Sequence, residues 1–176
     1  MSSDRFCKLL FVGRPVPEKG LPDLLRVLAA MAELPWLLSV VGDRAPFELP
    51  ITGIHHRISF LGRVDQSEVA RVMQRHDVLV VPSRYETFGT VALEGLATGL
   101  VVVAARVGGL KELIVRGRTG FHFEAGDMDD LERVLRSVIG DLDALCQIRH
   151  NARLEATKYS WSHVVVATHS LLASLT

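Results

Sequence analysis

The first segment with residues suited to binding chemistry is GRPVPEKG, residues 13–20, which holds Arg14 and Lys19 between Gly13 and Gly20. Fixed positive charges bind a diphosphate well, and glycine lets a backbone turn and approach a ligand closely. The segment has neither the GxGxxG pattern of dinucleotide-binding loops nor the GxxxxGK[ST] pattern of P-loops. A solvated loop with two ordinary surface charges is therefore the competing interpretation.

The second such segment is SRYETFGT, residues 83–90, followed by the apolar stretch VALEGLATG. Gly89 and Thr90 suit the start of a helix, where free backbone N–H groups and the helix dipole favour an anion. Glu94 is the only charged residue in this otherwise apolar or small-residue helix. A carboxylate in such a helix is costly unless it is hydrogen-bonded. Ligand hydroxyls could supply the donors, and the alternative is a core glutamate bonded to backbone N–H groups or to an arginine.

The elements that position these segments alternate between short β-branched runs and helical periods, which indicates βα units and a parallel sheet. The predicted strands span residues 7–13, 36–42, 58–62, 77–83, 100–107 and 119–124. The predicted helices span residues 20–34, 65–75, 90–99, 110–115, 127–139 and 141–158, with a last helix from residue 161. Asp65 and Glu68 predict a capping box at the second helix, and Asp127 with Asp130 favours the start of the fifth.

These elements predict an α/β fold, a single Rossmann-like, doubly wound sheet of six parallel strands in the order 3-2-1-4-5-6. Ligands of such folds bind at the carboxyl ends of the strands, where the strand order reverses. That point lies between the first and fourth strands. Both charged segments follow these strands, so the topology predicts that they meet there.

Composition restricts the class of protein. The chain has 176 residues, the length of one domain, and its 20 basic and 20 acidic residues give no net charge, which argues against a nucleic-acid binder. Cys7 and Cys146 form no CxxC motif, and no His or Cys spacing predicts a metal site. Without a signal sequence or a stretch apolar enough to span a bilayer, we expect a cytoplasmic protein with no direct membrane segment.

Several segments, taken in order, resemble one family. RYETFGTVALEGLATG is similar to the Glu-x7-Glu segment of retaining GT-B glycosyltransferases of the "group 1" type, with Glu86 and Glu94 as its carboxylates. FVGRPVPEKG resembles the G-R-x(n)-E-K-G loop of that family. The family's order and spacing are also kept by VVGD, FLGRV, RVGGLKELI, GRTGFHFEAGD and YSW. The resemblance covers nearly the whole chain and corresponds to the C-terminal, donor-binding half of the enzyme.

The resemblance implies roles for particular residues. Arg14 and Lys19 would hold the donor diphosphate and stabilise the leaving nucleotide without a metal ion or cofactor. Glu94 would accept hydrogen bonds from the ribose, and Glu86 would bind hydroxyls of the transferred sugar. The implied catalytic residues are thus Glu86, Arg14 and Lys19. The remaining implied donor-binding residues are Arg63, Val64, Gly13, Phe88, Gly89 and Thr90. Of these, Arg63 and Val64 would border the base.

By the same resemblance, the activity is transfer of a sugar from a nucleotide-diphosphate donor, UDP- or GDP-linked, with retention of configuration. The family also has an N-terminal, acceptor-binding domain. Residues 1–176 are expected to form only the donor domain and to be inactive alone, with residues 160–176 forming a helix that crosses to the missing domain or packs on its own sheet. Through that domain the enzyme could sit at the cytoplasmic membrane face.

Two alternatives remain open from the sequence. One is a non-catalytic module that binds nucleotide sugars or assembles with a partner, and the other is a nucleotide-sugar epimerase of the GT-B fold. One departure from the family is Val101, where many relatives have proline, and we expect it to change a local turn without affecting the site.

Overall fold

The computed structural model describes residues 5–43 and 48–160. Its centre is one sheet of six parallel strands in the order β3-β2-β1-β4-β5-β6. The strands are β1 (Cys7–Val12), β2 (Trp36–Val41), β3 (Ile58–Gly62), β4 (Val78–Val81), β5 (Val101–Ala105) and β6 (Gly120–Phe123). Every residue of β4 and β5 is buried, as expected for apolar strands covered on both faces. The predicted fold class and strand order are confirmed.

Helices cover both faces of the sheet. They are α1 (Leu21–Ala30), α2 (Gln66–Met73), α3 (Thr90–Thr98), α4 (Leu110–Leu113), α5 (Met128–Gly140) and α6 (Leu145–Thr157). Apolar residues of α1 and α5 pack in one core cluster, and those of α2, α3 and α4 pack in the other. The two clusters hold the sheet between them, so the strand ends, rather than the sheet faces, are left for ligands.

Several predicted boundaries differ from the structure. Helix α1 ends at Ala30 and not at residue 34, which is consistent with Pro35 disfavouring helical backbone at the residue before it. Helix α2 starts after Asp65, but the predicted capping box is wrong. The Asp65 side chain makes no capping bond, and the Glu68 carboxylate instead accepts a hydrogen bond from Arg71 at 2.6 Å.

The start of α5 follows the sequence prediction. The Asp127 carboxylate accepts a hydrogen bond from the backbone N–H of Asp130 at 2.9 Å. Cys7, expected to be a small buried hydrophobe, is fully buried. The predicted terminal helix from residue 161, and the part of the β2–β3 connection at residues 44–47, lie outside the described residues.

Candidate functional site

The loops that follow β1 and β4 are in direct contact, as the topology predicted. The backbone N–H of Arg84 donates to the carbonyl of Glu18 at 2.8 Å, and the Arg84 guanidinium pairs with Asp23 of α1 at 3.0 Å. Gly20 lies between them with φ of 72°, and a Cβ there would come within 2.0 Å of the Pro82 carbonyl oxygen. Glycine is required at this position because both the backbone conformation and the close approach exclude a side chain.

Lys19 and Glu86, one from each loop, form an ion pair. The Lys19 Nζ lies 2.6 Å from Glu86 Oε2, and the two side chains remain 29% and 20% exposed. The Ser83 hydroxyl lies 3.5 Å from the same carboxylate oxygen. Neither group is sealed from solvent, so a ligand can reach both the ammonium and the carboxylate.

The N-terminus of α3 opens beside this pair. Its N-cap, Gly89, is left-handed with φ of 89°, has no side chain to cap the helix, and lies so close to Leu110 that a Cβ would meet its Cδ2 at 2.5 Å. The first α-helical hydrogen bond into Gly89 comes from the N–H of Leu93. The N–H groups before Leu93 lack acceptors within the helix, and Thr90, the first helical residue, is exposed. This end of the helix can therefore take an anion.

Glu94 lies one turn into α3, on the same helix face as Thr90. Its side chain is half-buried. Across residues 5–43 and 48–160, no hydrogen bond or ion pair involves its carboxylate. The core-glutamate alternative needed a backbone N–H or an arginine as partner, and neither is present in that part of the chain. The carboxylate is thus available to hydroxyl donors from outside the protein.

Arg14 and Gly13 occupy the loop at the end of β1. Gly13 donates its backbone N–H to the Val41 carbonyl at 3.0 Å, which fixes the start of the loop to β2. Arg14 is exposed, and its guanidinium has no ion-pair partner in the described part of the chain. The Arg14 side chain is therefore accessible to an anion at the switch point.

Arg63 and Val64 follow β3, two strands away from β1. Arg63 is 82% exposed and pairs with Asp43 at 3.3 Å, while Val64 is partly buried against the second core cluster. They share the carboxyl edge of the sheet with the other predicted residues but do not contact Lys19 or Glu86 within the described residues. They can border only the end of a ligand that extends along this edge.

Sequence reasoning missed two contacts that support the loop of Glu86, one with the Gly108–Gly109 doublet and one with Tyr159. Gly108, with φ of 43°, lies so close that a Cβ would come within 1.7 Å of the Glu86 carbonyl oxygen, and Gly109 donates its N–H to Thr87 at 3.1 Å. The Gly-Gly doublet was the available signal, but it indicated only a helix start. The half-exposed Phe88 ring contacts Tyr159 edge-to-face, with centroids 6.1 Å apart, a contact with no signal in sequence spacing.

Residues 3–155 match the family model for glycosyl transferases group 1. The chain belongs to this family. Among curated members, it is 34% identical to the glycogen synthase of Mycobacterium tuberculosis over 92% of its own length and 41% of that enzyme. The chain spans less than half the length of the curated relatives it matches.

Solved structures share the fold. The Anabaena protein HepE in complex with UDP matches over 97% of this chain and 48% of its own, with 28% identity and a TM-score of 0.79. The C-terminal domain of a group 1 protein from Francisella tularensis matches over 88% of this chain and 87% of its own, with a TM-score of 0.78. At 24% identity the second likeness is one of fold alone.

Two further observations concern metal ions and membranes. Within the described ranges, no group of three or more His, Cys, Asp or Glu side chains is placed to hold a metal ion. No helix among those residues has both the length and the apolar character needed to cross a bilayer.

Proposed function

We propose that this domain binds a nucleotide-diphosphate sugar at the carboxyl edge of its sheet and, with an acceptor-binding domain, transfers the sugar with retention of configuration. The observation that carries the proposal is Glu94. Its half-buried carboxylate has no protein partner in the described structure and lies in the first turns of α3, whose N-terminus has no side-chain cap and follows the loop in which Glu86 pairs with Lys19. A ribose diphosphate supplies both the hydroxyl donors and the negative charge that this arrangement accepts.

Different residues are proposed to bind the diphosphate, the ribose and the sugar of the donor. The Arg14 and Lys19 cations, with the N–H groups of the α3 N-terminus around Phe88, Gly89 and Thr90, bind the diphosphate. Glu94 accepts hydrogen bonds from the ribose hydroxyls, and Glu86 accepts them from the sugar. Gly13 keeps the β1 loop close enough for Arg14 and Lys19 to reach the diphosphate.

The proposed chemical role of the protein is to stabilise the negative charge that develops on the leaving nucleotide. The bond between the anomeric carbon and the diphosphate oxygen breaks, and the acceptor oxygen bonds to that carbon on the same face. The acceptor proton passes to the departing phosphate oxygen. Lys19 and Arg14 stabilise the negative charge that develops on the leaving nucleotide, and no metal ion is assigned to this step. Glu86 positions the sugar and is not assigned as a covalent nucleophile.

The base of the donor is proposed to be uracil, with guanine as the other candidate. The support is that the Anabaena structures of this fold were solved with UDP and with UDP-glucose. Arg63 and Val64, farther along the same edge, would border the base. Placement of the enzyme in the cytoplasm stays a prediction.

A second domain is needed for activity in this proposal. The chain covers 45% and 48% of the lengths of two solved structures that it matches, and no residue at the carboxyl edge is assigned to an acceptor in this proposal. We therefore expect the isolated domain to bind donor without transferring sugar.

Calorimetric titration tests the assignment. The chain is titrated with UDP, GDP, ADP and CMP, and then with the sugar derivatives of whichever nucleotide binds. Lys19→Ala and Glu94→Ala are expected to weaken binding at least about tenfold, since each removes charge-assisted hydrogen bonds. Lys8→Ala is the matched control, because Lys8 is exposed at the opposite, amino edge of the sheet. Unchanged affinity in both site variants would show that the donor site lies elsewhere.

A further inference from the structure

A cavity lies at the amino edge of the sheet, opposite the edge proposed to bind the donor. Its volume is about 410 Å³, within the range of small-ligand pockets. Its walls are one face of α6, the residues that follow α2, and the C-terminal end of α3. His76 and Leu100 line the cavity and lie just before the first residues of β4 and β5. The cavity is therefore separated from the Lys19–Glu86 pair, which follows the carboxyl ends of β1 and β4, by the length of the strands.

Helix α6 presents cations to this cavity. Cys146, Arg149, His150 and Arg153 all line it, and their spacing of three, four and seven residues places them on one helix face. No carboxylate is among the described lining residues. Arg149 and Arg153 are like charges four residues apart on this face, and in the described structure only Arg149 has a carboxylate partner, Asp77.

The protein satisfies Arg149 only in part. One terminal nitrogen, Nη2, donates to the His76 carbonyl at 3.1 Å and to the Asp77 carboxylate at 3.2 Å. That carboxylate is shared with Arg5, at 2.5 Å. The Nε–H of Arg149 is buried and has no acceptor within residues 5–43 and 48–160.

Arg153 completes the cationic wall. Its guanidinium lies against Gly99, the left-handed C-cap of α3, where a Cβ would come within 2.3 Å of Nε. Its only hydrogen bond in the described structure is a long one, 3.4 Å, from Nη2 to the Thr98 carbonyl. The negative end of the α3 dipole accounts for one cation at this place. It does not account for a second guanidinium and an imidazole on the same wall.

We propose that this cavity is a binding site for a soluble phosphate monoester or inorganic phosphate, held by Arg149, His150 and Arg153. A phosphate matches the wall because its oxygens accept paired hydrogen bonds from guanidinium groups and its charge offsets the two arginines. The proposal does not depend on the donor site, because the two sites use opposite edges of the sheet and share no residue. Binding here gives the domain a second ligand besides the nucleotide sugar.

The test is a titration of the chain with inorganic phosphate in a chloride buffer of constant ionic strength. Heat is recorded by calorimetry, and the side-chain Nε–H signals of the arginines are recorded by NMR. Saturable binding is expected, with shifts concentrated in Arg149 and Arg153. Arg153→Gln should weaken phosphate binding at least about tenfold through loss of charge-assisted hydrogen bonds, while UDP affinity stays unchanged. Arg118→Gln, an exposed arginine away from the cavity, is the charge-matched control.

Three results would overturn the site. These are no saturation by phosphate, equal weakening by Arg153→Gln and Arg118→Gln, or binding to phosphatidic acid vesicles without binding of soluble phosphate. The thermal unfolding temperature of Arg153→Gln is measured in parallel. If that variant is unfolded, His150→Gln on the exposed part of the wall takes its place and is expected to lower phosphate affinity without loss of fold.

Discussion

Replacing Glu86 by glutamine is expected to strengthen the binding of UDP, even though Glu86 belongs to the proposed site. In the structure the Glu86 carboxylate pairs with Lys19, the ammonium proposed to bind the diphosphate. A diphosphate that contacts Lys19 is brought close to that negative carboxylate. Glutamine keeps the size and an oxygen acceptor for Lys19 but removes the charge.

The size of the effect follows from the geometry. An anionic oxygen contacts an ammonium at about 2.8 Å, and Glu86 Oε2 lies 2.6 Å from the Lys19 Nζ. The anion is therefore no more than about 5.4 Å from the carboxylate, where two unit charges repel by about 0.8 kcal/mol in water and about 3 kcal/mol at an effective dielectric constant of about 20. Because the pair is partly exposed, we expect about 1 kcal/mol, or roughly fivefold tighter binding.

The assay is calorimetric titration of wild type and Glu86→Gln with UDP at two salt concentrations. The gain should shrink at higher salt, since exposed charges are screened. Glu68→Gln, which removes the carboxylate of an exposed ion pair on α2, is the control and should not change UDP affinity. With UDP-glucose the gain should be smaller, because the amide is a weaker acceptor for sugar hydroxyls than the carboxylate.

Weaker UDP binding by Glu86→Gln would refute this reasoning. It would mean that Glu86 holds Lys19 in its binding position more than it repels the diphosphate. An equal gain in Glu68→Gln would instead show that net charge, and not the Lys19–Glu86 pair, sets the affinity.

Three further changes have expected outcomes. Gly20→Ala should lower the free energy of unfolding in urea by more than about 3 kcal/mol, because of backbone strain and a clash with the backbone. Gly126 has a similar φ but open space around it, so Gly126→Ala should lower that free energy by only about 1 kcal/mol. Equal losses in the two variants would mean that the close approach at Gly20 does not matter. Glu94→Gln should leave the urea midpoint within error of wild type, because no described group pairs with the carboxylate, yet weaken UDP binding; a large loss of stability would point to a structural role. Burial raises the pKa of Cys7 to about 12 from an ordinary 9.0, so native chain should lose one thiol, the exposed Cys146, to alkylation at pH 8. Stability should also fall as the pH rises above about 9, where only the unfolded chain ionises this thiol; rapid alkylation of both thiols in the native chain would contradict the burial.

Much of the fold could be read from local patterns. The strand cores were predicted because buried parallel strands are continuous apolar runs, such as VLVV and VVVAA. Boundaries were less accurate, since ends depend on contacts that spacing does not specify. The Asp65–Glu68 pattern has a capping-box spacing, yet Glu68 bonds Arg71 instead. A carboxylate with two possible hydrogen-bond donors nearby bonds the one that local geometry and solvent favour, and here Glu68 bonds Arg71.

The candidate site divides in the same way. Its residue types and their loops were predictable, because parallel topology brings the ends of β1 and β4 together. The Lys19–Glu86 pair was not, since it joins residues 67 apart whose separation depends on side-chain conformations. The packing of Gly108 against the Glu86 carbonyl and of Arg84 against Asp23 was equally invisible.

The sequence by itself thus determined the fold class, the strand order, the edge of the sheet at which the two charged loops meet, and the family. These follow from periodicity and from ordered local motifs, each confined to a few consecutive residues. Only the tertiary structure decided that Glu94 has no described partner, that Lys19 pairs with Glu86, and that α6 turns Arg149 and Arg153 towards a cavity at the opposite edge. Those properties depend on which distant side chains come within hydrogen-bonding distance, and chain order alone does not set that distance.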